Sequence, residues 1–344
     1  NTVLGQNALD ASVTGANNTA VGFAALTELT TGANNVVVGG YAADALTTGQ
    51  ANTALGYSAL SSVISANYNT AVGRSALQSN TTASGNVAVG YRALKDNSTG
   101  TENIAIGIDA LVTNSTGGEN TAVGSYALDA SNSTGNTAVG RSALSALTTG
   151  SYNVAISRQS LNDLTEGSYN TGVGYNSGHD LTTGGNNTLI GHEAGNVVSP
   201  SGSLTTHNNI VVIGNNSVAT SYIKVDWTVT SDRRDKTDIT PFTHGLSWIN
   251  KLNPVTYYWD NRSDYEDGIP DGSKKGTQLN LGLIAQDEIE VEKEHGYGDT
   301  SENMLVSHVN EDGNYGMQYS KLVPILINAV KELSAKVEEL EKRQ

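Results

Sequence analysis

Residues able to do chemistry are sparse in this chain. Its 344 residues include no cysteine and only six histidines. The histidines, at 179, 192, 207, 244, 295 and 308, show no two-ligand spacing such as His-x-His. No metal site and no cofactor is therefore expected. Glycine is abundant, yet no Gly-rich turn opens a helix with a following lysine, so no phosphate loop is present. No paired-carboxylate pattern supports a sugar-cleaving activity. One hexapeptide stands apart, Ser231-Asp232-Arg233-Arg234-Asp235-Lys236, which places a hydroxyl and an amine five residues from each other. By residue type alone it reads as a helix start, with Ser231 or Asp232 as the N-cap.

The elements that must carry these residues begin with a repeat. An Asn recurs at 1, 18, 35, 52, 69, 86, 103, 120, 136, 153, 170 and 187, in steps of 17 with a single step of 16. Four residues after each Asn comes Gly, except at Ser157. A fixed period of this kind marks a stacked repeat architecture. Seventeen residues suit one coil of a β-solenoid: a short strand such as Thr19 to Val21, a turn, a second short strand ending in Ala-Leu, and a turn rich in Thr, Ser and Gly. The Gly marks a bend where φ is positive or a Cβ would clash. Each coil offers its interior a Val, Leu or Ile, one Leu, and small Ala. That is too little to bury alone, so successive coils must stack and share a core. The Asn side chains would form an amide ladder along the stack. The position after the Gly varies and carries Tyr57, Tyr91 and Tyr175 with several arginines. One face bearing Tyr and Arg is a candidate binding surface for a glycan or protein receptor.

The chain is acidic throughout. Residues 1–230 carry 6 basic and 13 acidic side chains, and residues 231–344 carry 13 and 21. Nucleic acid and anionic membrane surfaces are poor partners for such a chain. No apolar run is long enough to span a bilayer. The first residue lies inside a repeat, so further chain is expected upstream of Asn1.

The repeats are expected over 1–196. An irregular capping coil and connector follow over 197–230. Ser221 to Thr230 alternates like a strand, with Tyr222, Lys224, Asp226 and Thr228 on one side. At Ser231 the composition changes to a charged, mixed α+β segment, 231–344. Pro254 to Trp259 reads as a strand, and Asp260 to Thr277 as a loop or hairpin. Leu281 to Asp287 reads as a strand-to-helix junction leading into an acidic helix. Paired strands are expected around Glu311-Asp312-Gly313. The end reads as a helix over 320–342, where Leu326, Val330, Leu333, Val337 and Leu340 step by 4, 3, 4 and 3. That spacing is a coiled-coil seam, with Ala329 beside it to permit close approach. Docking of the helix on its own domain is the alternative.

Three separated motifs carry a resemblance: the hexapeptide at 231–236, Gly282-Leu283-Ile284-Ala285-Gln286-Asp287, and Tyr319-Ser320-Lys321-Leu322-Val323-Pro324-Ile325-Leu326. Together they resemble the C-terminal intramolecular chaperone domain of phage tailspikes and tail fibres, the endosialidase-type family also classed as peptidase family S74. The repeats are similar to the arrays of phage fibres that carry this domain, and to the β-rolls of trimeric autotransporter adhesins. The resemblance implies a homotrimer, and a domain that aligns the three chains and then cuts itself off. It implies Thr230–Ser231 as the scissile bond, Ser231 as nucleophile and Lys236 as base. A lysine can serve so only if desolvation or nearby charge lowers its proton affinity. Near-identical coils specify register weakly, which is the need such a domain would meet.

The expectation is an all-β repeat rod, a trimeric β-solenoid or β-roll, followed by a small α+β chaperone domain with a C-terminal coiled-coil helix. Its function would be that of a virion tail fibre. It would join upstream tail or baseplate proteins and attach a phage or phage-like particle to a bacterial surface, on the extracellular side. A cell-surface trimeric adhesin and a fibre with depolymerase activity are the alternatives.

Overall fold

The computed structural model describes residues 1–310 and 313–343. It divides into two compact units, Asn1–Val218 and Ala219–Gln344. In the first unit, thirteen three-residue strands form one parallel sheet in sequence order, from β1 (Thr2–Leu4) to β13 (Val211–Ile213). Every strand pairs with its neighbour in sequence, for example Thr53↔Thr70 and Val38↔Leu55. This is the parallel β-solenoid that the period predicts.

Its coils differ from expectation in two respects. Each holds one strand, not two. The Ala-Leu segment is a turn whose residues alternate into left-handed backbone, as at Ala24 (φ 53°) and Leu26 (φ 54°). Successive left-handed residues cannot lie in a strand, but they let the short coil close. The strand residue facing the interior is also the middle one. Ala20, Ala54, Ala71, Ala88 and Ala105 are fully buried, whereas the branched residues beside them face outward, as at Leu55, Ile106 and Ile156. A three-residue strand has only one inward position. The interior is filled by that Ala, the Ala-Leu pair and Asn, all from one chain.

The Asn ladder is built as expected. The Oδ1 of Asn18 accepts from both the backbone N–H and the side-chain amide of Asn35, at 3.0 Å each. The Asn35 amide also donates to the Gly49 carbonyl at 3.0 Å. The pattern repeats through Asn187, whose Oδ1 takes the N–H of Ile210. The glycines four residues on are required by the stacking. A Cβ on Gly107, at φ +140°, would lie 2.5 Å from the Gly124 carbonyl oxygen.

Changes of repeat length are absorbed in turns. The 16-residue step leaves Thr121 opposite Thr137. The shortened turn is closed by Asn132, whose Oδ1 accepts from the N–H groups of Ser115 and Thr116. The longer step before β13 keeps Thr188 opposite Val211. Residues 197–214, in the segment expected as an irregular capping coil, continue the stack, and the compact unit runs to Val218. The strand expected over Ser221 to Thr230 is absent. Those residues are exposed and lie beside no other strand.

The second unit holds two antiparallel pairs and a long helix. Strands β14 (Val255–Tyr257) and β15 (Asn280–Gly282) pair across the expected loop, and β16 (Ser307–Val309) pairs with β17 (Tyr315–Met317). Glu311 and Asp312, expected in the turn of the second pair, lie outside the described residues. Helix α1 (Leu246–Ile249) brings Trp248 into the core, and α2 (Ala285–Glu294) is the acidic helix expected from the sequence. Helix α3 (Leu322–Glu341) ends the chain. The core joins Trp248, Val291, Val306 and Ile325.

Two buried carboxylates tie this unit together. Glu292 accepts from the N–H groups of Leu305, Val306 and Ser307 and from the Ser307 hydroxyl. Glu288, one turn earlier, accepts from the Trp248 indole at 2.9 Å, and its other oxygen has no partner among the described residues. Burial pushes the Glu288 carboxyl up to about 7, opposed by the Trp248 hydrogen bond and aided by the charge of Glu292.

Two predictions follow from this packing. Replacing Asn103 by Ala strips the acceptor from the buried N–H of Asn120 and the donor from the Gly117 carbonyl. We expect a loss of roughly 2–4 kcal/mol, read by denaturant unfolding of the repeat unit, with the exposed Thr101→Ala as a near-neutral control. For Glu288, the folded carboxyl holds its proton to higher pH than the unfolded one. Its stabilising contribution is complete below the ordinary carboxyl value of 4.5 and is lost as pH rises through about 7. The carboxyls of Asp232, Asp271 and Glu302 are shifted downward, so their contributions change only in more acid solution. All three tryptophans lie between 227 and 259, so tryptophan fluorescence reports this unit. Its melting temperature should fall between pH 5 and pH 7.5, and Glu288→Gln should flatten that slope and raise the melting temperature at pH 8.

Candidate functional site

The hexapeptide folds as a tight turn. Asp232 caps a 3-10 helix over Arg233–Asp235 and accepts from the Arg234 N–H at 2.9 Å. The Arg234 guanidinium grips the same carboxylate, with Nη2 at 2.7 Å from Oδ2. That fork holds the Asp232 carboxyl below its usual range. The capping predicted from residue type is therefore present, with Asp232 as the cap. The turn ends at Lys236, whose N–H donates to the Arg233 carbonyl and whose backbone is extended again. This reversal returns the lysine to the start of the segment. Lys236 Nζ donates to Ser231 Oγ at 2.5 Å.

The single chain thus brings Ser231 and Lys236 into contact and leaves both exposed. The Arg234 charge is occupied by Asp232, so one of the two arginines that could bias the lysine is neutralised locally. The pair is in hydrogen-bond contact, and no described residue shields it from water. Thr230, on the other side of the expected scissile bond, is exposed as well. A cleft of about 510 Å³ between α2 and β16–β17, lined by Ile289, Glu290, Lys293, Thr300, Met304 and Tyr315, includes neither residue of the dyad.

The other two motifs meet each other. The Tyr319 hydroxyl accepts from the Leu283 N–H at 2.9 Å. A Cβ on Gly282 would lie 2.7 Å from that hydroxyl, so the glycine admits the tyrosine. Helix α3 is held to its own domain on one face. Asn328 donates to the Phe242 carbonyl at 2.7 Å, and Glu332 accepts from the Leu246 N–H at 3.0 Å. Ala329 is buried against Gly245, where a Cβ would lie 2.6 Å from its nitrogen. Ala329 therefore serves the close approach of its own domain, a correction to its expected place beside an interchain seam. The seam itself, Leu326, Val330, Leu333, Val337 and Leu340, is exposed along its whole length.

On the repeat unit, Tyr57, Tyr91 and Tyr175 all face solvent and each lies under an arginine: Arg74, Arg92 and Arg158, at 6.0, 5.7 and 5.7 Å from the ring centres. A second tyrosine column was not anticipated. Tyr68, Tyr152 and Tyr169 occupy the residue before the ladder Asn, and Tyr152 and Tyr169 stack at 5.5 Å. Their recurrence before Asn was the available signal. The buried pair Glu288 and Glu292 had none, because in sequence they look like any acidic helix face.

Residues 231–297 match the family model described as chaperone of endosialidase, peptidase family S74. The match begins at Ser231 and takes in the hexapeptide and the Gly282–Asp287 motif. No curated protein and no solved structure matches the chain. The segment that opens with the Ser231–Lys236 contact is similar to the chaperone-of-endosialidase family, and it follows a parallel β-solenoid in sequence.

Proposed function

We propose that this chain is a tail-fibre or tailspike-like protein of a phage or phage-like particle. It acts as a homotrimer whose C-terminal domain aligns three chains and then cuts itself off at Thr230–Ser231. The observation that carries this reading is the contact of Ser231 Oγ with Lys236 Nζ at the first residue of the chaperone segment. The exposed seam of α3 supports the trimer, since a helix already docked on one face has no use for a second apolar stripe unless another helix covers it.

The chemistry follows from where the hydroxyl sits. Ser231 supplies the nitrogen of the scissile amide, so attack of its own Oγ on the Thr230 carbonyl closes a five-membered ring. Neutral Lys236 takes the hydroxyl proton and returns it to the leaving nitrogen. The C–N bond breaks and a Thr230–Ser231 ester forms, which water hydrolyses to a Thr230 carboxylate and the free hydroxyl. Neutral lysine requires loss of solvent around Nζ. A neighbouring chain that covers the exposed dyad would supply it, which orders the events as assembly first and cleavage second.

The tyrosine–arginine column at Tyr57, Tyr91 and Tyr175 is the proposed contact with a bacterial surface glycan or protein. Its rings are exposed and its guanidinium groups are placed for stacked, multivalent contacts. Other partners would be tail or baseplate proteins, and the working location the virion.

Three measurements check this reading. Denaturing electrophoresis should show two fragments from the native chain and one full-length band from Ser231→Ala and from Lys236→Ala; a single full-length band in all three would remove the self-cleavage. A 1–230 chain should fail to reach the trimer, and soluble native trimer from it would overturn the aligning role. Replacing Tyr57, Tyr91 and Tyr175 together by Ala should lower cell binding at least tenfold while leaving the melting of the repeat unit unchanged.

A further inference from the structure

The stretch 219–230 includes, from Ser221, the sequence alternation of a strand, yet it forms none in the structure, where it bends at Lys224 and Val225. Its apolar residues alternate: Ile223, Val225, Trp227 and Val229 fall on one side, and Tyr222, Lys224, Asp226 and Thr228 on the other. Val225, Trp227 and Val229 are each more than 70% exposed. None of its backbone N–H or C=O groups bonds to other backbone among the described residues. The single main-chain bond is local, from the Trp227 N–H to the Asp226 carboxylate. Lys224 and Asp226 form no ion pair with any described residue. A run of alternating β-branched and aromatic side chains with an open backbone is an unpaired edge, a template for pairing with another chain.

We propose that residues 219–230 form an interchain β-structure between copies of this chain, burying Ile223, Val225, Trp227 and Val229 about a common axis, with Lys224 of each copy meeting Asp226 of the next. The inference rests on the homotrimer reading above. The occupant is argued from charge. A lysine and an aspartate two residues from each other on the same side lie one diagonal step from their counterparts on an adjacent identical strand. In a cyclic trimer that step closes on itself and gives three equivalent pairs. A partner of different sequence would have to supply both charges at that spacing, whereas a second copy carries them already.

The arrangement has a consequence for processing. The interchain strand ends at the scissile bond and lies wholly on its N-terminal side. Cleavage at Thr230–Ser231 would remove the α3 seam and leave this strand with the repeat unit, so the three chains stay joined after the aligning domain departs.

The test uses the absence of native thiols. Single cysteines are introduced as Val225→Cys on the apolar side and Thr228→Cys on the polar side, with Ile223→Cys as a second apolar-side variant. Each protein is weighed in its native state and then oxidised and run on a non-reducing denaturing gel. The expected result is a native trimer in which Val225→Cys and Ile223→Cys form disulfide-linked pairs several-fold faster than Thr228→Cys, with or without cleavage at Thr230. A native trimer in which the two sides link equally would overturn the interchain strand and leave the homotrimer standing. A native monomer would overturn both. Exchanging the charges supplies a second readout: Lys224→Asp should weaken the cleaved trimer, and Lys224→Asp with Asp226→Lys should restore it.

Discussion

A primary amide in a dry interior must satisfy two donors and a carbonyl oxygen, and it does so here by reaching into the next coil. Each ladder Asn is fully or almost fully buried from Asn18 to Asn187. Its oxygen takes the backbone N–H of its successor and, except at Asn69 and Asn187, the successor's side-chain amide as well, and its own amide closes the turn of the next coil. The bond is made only when the neighbouring coil sits at strand spacing and in register. The other regularities follow from that closeness. The Gly column exists because carbonyls approach to where a Cβ would stand, and the left-handed turn residues exist because a 17-residue loop must return to the same point one strand spacing away.

The same geometry narrows what the C-terminal domain has to do. Every strand pairs with the coil next to it in sequence, so each step of the stack closes a short loop, and the interior is filled by one chain. Local closure of this kind is fast in comparison with distant strand pairing. On the proposed homotrimer reading, the difficulty left to the C-terminal domain is agreement between chains. Helix α3 has the division of labour for it: Ile325, Asn328, Ala329 and Glu332 belong to the domain, and Leu326, Val330, Leu333, Val337 and Leu340 belong to nothing within it.

Much of this was legible before any coordinates. The Asn period located twelve of the thirteen strands, because one invariant polar residue per coil leaves an unambiguous mark. The junction at Gly282 and Ala285, the antiparallel pairs and the final helix followed from alternation and heptad spacing. Less legible was the facing of the strands. Over three residues, alternation cannot tell a buried Val from an outward one, and the interior went to the smaller Ala. The second strand of each coil was misread because Ala-Leu looks extended, whereas its backbone is left-handed at Leu. The Ser231–Lys236 contact depends on a turn that no pattern of hydrophobicity reports, and the strand expected over Ser221 to Thr230 finds no partner within one chain.

Since coils are added or removed in whole units, the reach of the molecule is quantised. A duplication of 17 residues lengthens it by about 4.8 Å and adds one rung to every outward column, the tyrosine–arginine column included. Neither end has to be redesigned, because each interface sees only its nearest neighbours. Length and the number of exposed tyrosine–arginine pairs can therefore change together by a single recombination event, while the C-terminal unit stays as it was.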